Sequence, residues 1–308
     1  MANTAGDTPG VATMKHCIYA SAIALLNLLI TGGIVLLADE GDSTLVQPID
    51  TPGRTIFSAD FEHAEPGIYT KAQLNRDWNS PEWSDGIEEE RVWIVETEPA
   101  TRALSVKFPA HTYGSEKNGA VWRLQFDSSY SAVEVRFDVM FKKGFDFVRG
   151  GKLPGLFGGN GNTGGNKPSG DDGFSARMMW RDDGRVVQYL YYPDQPDRYY
   201  PDQPDRYGHQ IPWIDATTGR QIQFVPGKWH TVVHQLSINT PGKRDGRLHA
   251  FFDNQPVLKM DSIRFRDTDT FSIDGFVFST FFGGGDNSWQ TTANEAVYFD
   301  NFRIRVVK

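Results

Sequence analysis

The stretch that decides the fold is "FSARMMWRDDGRVVQYLYY", residues 174–192. Two runs of alternating apolar and polar residues flank an Asp-Asp-Gly turn, which predicts a β-hairpin. A three-residue hairpin loop favours glycine in the left-handed region at its last position, and Gly184 supplies it. The side chains that this pattern assigns to the core face of the first strand are Phe174, Ala176, Met178 and Trp180.

The three-residue loop also predicts the register of the two strands. Counting back from it places Arg177 opposite Tyr189 and Ser175 opposite Tyr191, so all four side chains project from the other face of the sheet. A two-residue loop would instead turn both tyrosines toward the core and bury their hydroxyls. The result is either a site built from two phenols, a guanidinium and a hydroxyl, or an ordinary solvated sheet face.

Similar half-buried strands recur on both sides of this hairpin. Examples are "RVWIVET", "SAVEVRFDVMF" and "KWHTVVHQLSI", and the chain carries 31 glycines and 17 prolines to turn between them. No long amphipathic helix follows the N-terminal segment. This pattern predicts an all-β domain over residues 56–308, a β-sandwich of jelly-roll type. The first and last strands of such folds often pair, which would place Phe57 near Phe302.

An apolar run from Cys17 to Ala38 precedes this domain, with a lysine before it and acidic residues after it. Such a run predicts a hydrophobic helix within residues 1–38, serving as an export signal or as a membrane anchor that tethers the protein through residues 17–38. A buried core helix is the alternative. Residues 39–55 indicate a linker. We therefore expect a secreted or extracytoplasmic protein, which is either released or anchored in the membrane by its N-terminal segment.

A single lysine in "GGKLPGLFGG", residues 150–159, stands between glycine pairs. Because glycine permits tight turns and close approach, the pattern predicts that Lys152 lies on a turn at the rim of the site. Lys142, Lys143 and Arg149 precede it closely. The net charge of -8 argues against a general nucleic-acid binder, and if the ligand is a polyanion, this local basic segment must supply the attraction.

These motifs together resemble polysaccharide lyase family 14, whose known members include alginate lyases. The resemblance rests on "GGKLPGLFGG", "FSARMMWR", "YLYYPDQP" and the downstream "STFFGGGDNSW" and "YFDNFRI", and it runs from about Phe57 to the C-terminus. It implies a concanavalin A-like jelly roll with an open concave cleft. The functional residues that it implies are Lys152, Ser175, Arg177, Tyr189 and Tyr191.

The resemblance also implies cleavage of a polyuronate by β-elimination. Alginate is the expected substrate; a glucuronan lyase and a non-catalytic carbohydrate-binding module are the alternatives. Cations must neutralise the uronate carboxylate, which suits Lys152 and Arg177. A phenol can act as base and then acid if nearby positive charge lowers its pKa, so Tyr189 or Tyr191 is the expected catalyst.

The remaining expectations concern binding groups and partners. Ser175, Arg177 and Arg149 would bind the substrate, an acidic polysaccharide, and the protein would act as a monomer. The pattern predicts no cofactor and no metal: His230 and His234 share a strand face, but no third ligand accompanies them.

One feature departs from the family pattern. The octapeptide "YYPDQPDR" occurs twice in tandem, at 191–198 and 199–206. Either Tyr191 or Tyr199 could in principle be the second tyrosine of the motif. The strand from Arg185 reaches Tyr192 before Pro193 ends it, which favours Tyr191. The second copy then predicts a longer loop near the cleft.

Overall fold

The computed structural model describes residues 53–98, 101–196 and 207–307, and the hairpin forms in the predicted register. Arg177 is the partner of Tyr189, and Ser175 is the partner of Tyr191. The loop is a single 3₁₀ turn, Asp182–Gly184, in which Gly184 has a φ of +74°. The prediction of a three-residue loop is therefore confirmed.

The described ranges form sixteen strands. They are β1 (Arg54–Ala59), β2 (Gly67–Ile68), β3 (Ser84–Asp85), β4 (Val92–Glu98), β5 (Thr101–Phe108), β6 (Ala120–Tyr130), β7 (Ala132–Phe141), β8 (Gly150–Gly159), β9 (Gly173–Arg181), β10 (Val186–Tyr191), β11 (His209–Pro212), β12 (His230–Ser237), β13 (Gly246–Phe252), β14 (Gln255–Ile263), β15 (Ile273–Phe282) and β16 (Glu295–Val306). The one α-helix among these residues, α1 (Lys71–Asp77), begins at a Thr70–Gln73 capping box and buries Leu74. A second 3₁₀ turn spans Asn287–Trp289.

The strands form two antiparallel sheets packed as a sandwich, which confirms the predicted all-β architecture. The first sheet has the order β14-β13-β12-β7-β16-β5-β4-β2, with β1 also paired to β16. The second has the order β11-β10-β9-β8-β15-β6-β3. Aromatic side chains fill the space between them: Trp180 of the second sheet lies 5.4 Å from Phe141 of the first, measured between ring centroids. The predicted core residues of β9 belong to this cluster.

The first and last strands pair as predicted, but their register differs from the expected one. Phe57 lies opposite Ile304, and Phe302 lies opposite Ala59. A bulge between Thr55 and Phe57 shifts the pairing, and such irregularities leave no trace in an alternating sequence pattern.

The prediction that Lys152 lies on a turn is wrong, because residues 150–159 form β8 in the middle of the second sheet. The glycines serve close packing between strands. A Cβ added to Gly151 would lie 2.1 Å from the Trp180 ring, and one added to Gly155 would lie 2.0 Å from the Ala176 carbonyl oxygen. The register shifts between Leu153 and Gly155, which accommodates the proline between them.

Two predicted features lie outside the described residues. These are the N-terminal hydrophobic helix with its flanking linker up to residue 52, and the second octapeptide at 199–206. Among the residues that are described, none of the helices is both long and apolar enough to cross a membrane.

Candidate active site

A cleft of about 590 Å³ lies on the outer face of the second sheet, across β15, β8, β9, β10 and β11. Alternate residues of β9 point into it, as the strand period of two requires. Four of its lining side chains are basic, and one, Asp286, is a carboxylate. The basic ones are Arg149, Lys152, Arg177 and Arg181. The cleft is therefore suited to an anionic ligand, although the whole chain is acidic.

Lys152 occupies the middle of the cleft. On β8 it lies between Met179 of β9 and Phe281 of β15, and its Nζ is 3.2 Å from the Met179 sulfur. Burial lowers the pKa of Lys152 well below that of a free lysine, and the like charges of Arg177 and Arg181 lower it further. The Tyr189 ring, with its centroid 4.3 Å from Nζ, acts in the opposite direction because its face attracts a cation.

Arg177 is a buried cation with no carboxylate bound to it among the described residues. Its side chain is only 5% exposed, and no described group accepts a hydrogen bond from its Nε. Burial lowers the pKa of Arg177, but a guanidinium stays protonated under all ordinary conditions. An uncompensated buried charge is costly, so a carboxylate arriving beside Arg177 would gain a strong partner.

The two tyrosines lie on the face that the hairpin register predicted, yet they are not equivalent. Tyr189 lines the cleft, whereas Tyr191, fully buried, does not. Their hydroxyl oxygens are 3.1 Å apart, and Tyr191 also accepts a hydrogen bond of 3.2 Å from the Gly165 amide. The chain passes closely over both rings at Gly208, where an added Cβ would lie 2.5 Å from the Tyr191 ring.

The positive charge of Arg177 acts on the pKa of Tyr189 in the expected direction, but larger effects outweigh it. Burial raises the pKa of Tyr189, and Tyr191 raises it further by charge repulsion and hydrogen bonding. Arg177 lowers it by a smaller amount. The raised pKa favours the protonated form of the Tyr189 phenol, whereas the lowered pKa of Lys152 favours its neutral form.

Ser175 contacts the main chain of a loop. Its hydroxyl donates a 2.6 Å hydrogen bond to the Asn162 carbonyl, and it does not line the cleft as described. Asn162 in turn donates to Asp172, closing the loop after β8. Thr163 and Gly164 of this loop form one wall of the cleft. Ser175 therefore holds the loop that forms this wall. The sequence placed its hydroxyl on the sheet face but did not predict this contact with the loop.

The basic residues that lie close together in sequence, from Lys142 to Lys152, do not all reach the cleft. Arg149 lines the cleft, stacked over Trp289 at 4.9 Å from the ring centroid. Lys142 donates to the Asn294 carbonyl and lies 3.8 Å from Glu295, and neither it nor Lys143 is among the lining residues described.

Sequence reasoning missed several groups of the cleft. Arg181 and Met179 had a signal, because the strand period already placed them on the polar face with Arg177. Trp289 ends the quoted motif "STFFGGGDNSW", but nothing in that motif indicated that it reaches the cleft, and Gln210 of the short strand β11 had no signal.

The two histidines considered as a metal pair are core residues. The His230 ring lies 2.9 Å from Asp253 at Nδ1, and its Nε2 accepts a hydrogen bond from the Val225 amide. His234 is fully buried against Trp213, and burial lowers the pKa of His234 to about 3. Within the described ranges, no group of three His, Cys, Asp or Glu side chains is placed to hold a metal ion.

The fold and the cleft define a β-sandwich protein with a cationic groove on one sheet, an arrangement that matches acidic polymers. The chain belongs to polysaccharide lyase family 14, whose family model, described as "Polysaccharide lyase 14", matches residues 96–302. No curated protein sequence matches the chain significantly.

Solved structures of similar proteins agree with this family. The alginate lyase Aly36B is 27% identical, with a TM-score of 0.67 over 82% of this chain and 97% of its own. The marine alginate lyase of the same family from Aplysia kurodai is 28% identical, with a TM-score of 0.67 over 82% of this chain and 100% of its own. An endo-β-1,4-glucuronan lyase from the fungus Trichoderma reesei shares the fold at 14% identity, with a TM-score of 0.51 over 74% of this chain and 92% of its own.

Variants of Aly36B have been solved with substrate fragments. One that lacks a lysine and a tyrosine holds an alginate tetrasaccharide, and one that lacks a lysine and a methionine holds an alginate trisaccharide.

Proposed function

We propose that this protein is an alginate lyase that cleaves its substrate by β-elimination, leaving an unsaturated uronate end. The observation that carries the proposal is the presence in one cleft of two groups: Arg177, a buried guanidinium whose Nε has no hydrogen-bond acceptor among the described residues, and Lys152, whose pKa is lowered well below that of a free lysine. The first suits a carboxylate, and the second suits proton abstraction beside it. Membership of the family and likeness to two alginate lyases support the choice of alginate.

The reaction begins with the proton on C5, next to the uronate carboxylate. A carboxylate that keeps its full charge opposes the negative charge that develops when this proton leaves. Arg177 pairs with the carboxylate through two parallel hydrogen bonds and spreads that charge. Because Arg177 stays charged when buried, it performs this role at every working pH.

Lys152 is the base in this mechanism. Its neutral amine takes the C5 proton, the C5–H electron pair forms the C4=C5 double bond, and the C4–O bond breaks toward the leaving sugar. A base works best when its pKa lies near the working pH, and the lowered pKa of Lys152 moves it in that direction. This assignment replaces the phenolic base expected from sequence.

Tyr189 is placed to protonate the leaving oxygen. Tyr189 lines the cleft, and its raised pKa keeps the proton on the phenol until an alkoxide develops beside it. Tyr191 positions Tyr189 through the hydrogen bond between the two hydroxyls, and Gly165 holds Tyr191. Arg149 binds the substrate at the cleft edge, and Ser175 supports it indirectly through the loop wall.

The variants of Aly36B match this set of residue types. A lysine, a tyrosine and a methionine were the residues removed in order to hold alginate fragments. In this chain a lysine, a tyrosine and a methionine lie in direct contact as Lys152, Tyr189 and Met179. The contact supports the view that the same chemistry operates here.

An assay distinguishes the proposed alginate lyase from two other functions. A glucuronan lyase would use the same groups on a different polymer, and a non-catalytic carbohydrate-binding module would bind without cleaving. The experiment is a panel of defined alginate, mannuronate, guluronate and glucuronate polymers, with the ultraviolet absorbance of the unsaturated product as readout. Product from alginate blocks is expected; binding without product would indicate the module, and product from glucuronan alone would indicate the other lyase.

We also propose the finer features that accompany this function. The sandwich is a concanavalin A-like jelly roll whose cleft is open and concave, and it takes an acidic polysaccharide as its partner. The protein acts as a monomer outside the cytoplasm, released by signal cleavage or tethered through residues 17–38. Support comes from the family and from the sequence of the N-terminal segment.

A further inference from the structure

A second hollow of about 310 Å³ adjoins the active-site cleft at the end of β9. Arg149 and Arg181 line both spaces, so the hollow continues the cleft past these two side chains. The remaining wall and floor residues of the hollow are Asp182, Arg185, Val187, Pro212 and Gln221. Nothing in the reaction described above uses this space.

Positive charge dominates the hollow, with three guanidinium groups against the single carboxylate of Asp182. Arg185 donates from Nη2 to that carboxylate and from Nε to the Asp182 carbonyl at 3.3 Å. The side chains of Arg185 and Asp182 are 41% and 50% exposed, and an ion pair with this much solvent exposure contributes little stability. The contact therefore orients the guanidinium group of Arg185, and the hollow keeps an excess of positive charge.

The shape and chemistry of the hollow select a class of ligand. Planar guanidinium forks match the two oxygens of a carboxylate better than a single hydroxyl or a neutral sugar. The exposed side chain of Pro212, beside the buried Val187, offers apolar surface on which the C–H face of a sugar ring can rest. Since the hollow and the cleft share Arg149 and Arg181 in their linings, a polymer that crosses the cleft can reach the hollow by passing these two side chains.

We propose that Arg149, Arg181 and Arg185 form an arginine subsite, which binds the carboxylate of a second uronate unit in the chain being cleaved. The inference rests on the proposed function and extends it to how the enzyme distinguishes long chains from short ones. Arg185 lines the hollow and not the cleft that holds Lys152, so its effect is on binding. A chain too short to span both spaces forgoes this contact.

The test compares kcat and KM on alginate polymer and on the shortest oligouronate that is cleaved. The variants are Arg185→Ala and Arg185→Glu, with Arg220→Ala as the matched control. Arg220 is an exposed arginine of the neighbouring segment that lines neither space, so its loss removes the same charge nearby. Thermal melting of each variant checks the fold.

We expect Arg185→Ala to reduce kcat/KM on polymer at least about fivefold, mainly through KM, and Arg185→Glu to reduce it further. The preference for polymer over the short oligouronate falls with it, whereas Arg220→Ala keeps the wild-type preference. Folded Arg185 variants that keep this preference would overturn the subsite while leaving the lyase assignment intact. An equal loss in Arg220→Ala would also overturn it, since long-range charge would then suffice. If the wild-type protein yields no unsaturated product from any polyuronate, the proposed function itself fails.

Discussion

Replacement of Lys152 separates a base from a cation that merely binds the carboxylate. A positioned general base contributes about 100- to 10,000-fold to a rate, roughly 3–5 kcal/mol of barrier. The structure places two guanidinium groups and burial against the charged form of Lys152, and only the Tyr189 ring in its favour, at about 0.5–2 kcal/mol. These contributions lower the pKa of Lys152 and so make its neutral form more accessible, and Lys152→Ala should lower kcat by at least about tenfold and leave the fold intact.

The assay follows product absorbance for Lys152→Ala and Lys152→Arg, with Lys143→Ala as a control that removes a nearby lysine outside the cleft. Arginine keeps the charge but lacks an accessible neutral form, so Lys152→Arg should be as inactive as Lys152→Ala. Added methylamine should restore part of the activity of Lys152→Ala, and guanidinium should not. Rescue by guanidinium, or an active Lys152→Arg, would refute the role of base; normal turnover by folded Lys152→Ala would refute any role for this lysine.

Four further outcomes follow from the same geometry. Activity should rise with pH as Lys152 loses its proton, and Arg181→Gln should move this rise to higher pH by removing a like charge; a pH profile that stays in place would contradict the assignment. Tyr189→Phe should lower kcat at least about tenfold and more than Tyr191→Phe, because only Tyr189 reaches the cleft, and steady-state kinetics showing the reverse order would make Tyr191 the donor. The KM for polyuronate should rise with salt despite the net charge of -8, and affinity that ignores salt would count against a cationic cleft. Deletion of 199–206 should leave a folded, active enzyme with altered product lengths, since added loop length costs about 0.6 kcal/mol per doubling; chromatography of products from the deleted protein decides this, and loss of activity would show that the second copy is needed.

The hairpin shows how far sequence alone can predict the site. A three-residue turn and a period of two suffice to place Arg177, Tyr189 and Tyr191 on one face, because both are local rules. The role of each group depends on burial, which is set by chains that come from elsewhere. Gly208 and Gly165 contact Tyr191, which is fully buried, whereas Tyr189 lines the cleft. The sequence near the two tyrosines does not predict these contacts.

Lys152 shows the opposite case, in which a local rule gave the wrong element. Glycines around a charged residue ordinarily indicate a turn. Here Gly151 and Gly155 provide room for Trp180 and for the backbone of β9, so the same residues build a central strand. The distinction requires knowledge of the neighbouring strand, which the sequence of β8 does not contain.

The charges of the cleft connect binding to chemistry. Burial and the repulsion from Arg177 and Arg181 lower the pKa of Lys152, which favours its neutral form. When a uronate carboxylate pairs with Arg177, part of the repulsion is cancelled, so the affinity of Lys152 for a proton rises. In the proposed mechanism, proton abstraction therefore becomes more favourable once the carboxylate has bound. A neutral sugar would leave the repulsion in place and the buried guanidinium without a partner, so the same arrangement that activates the base also selects the acidic substrate.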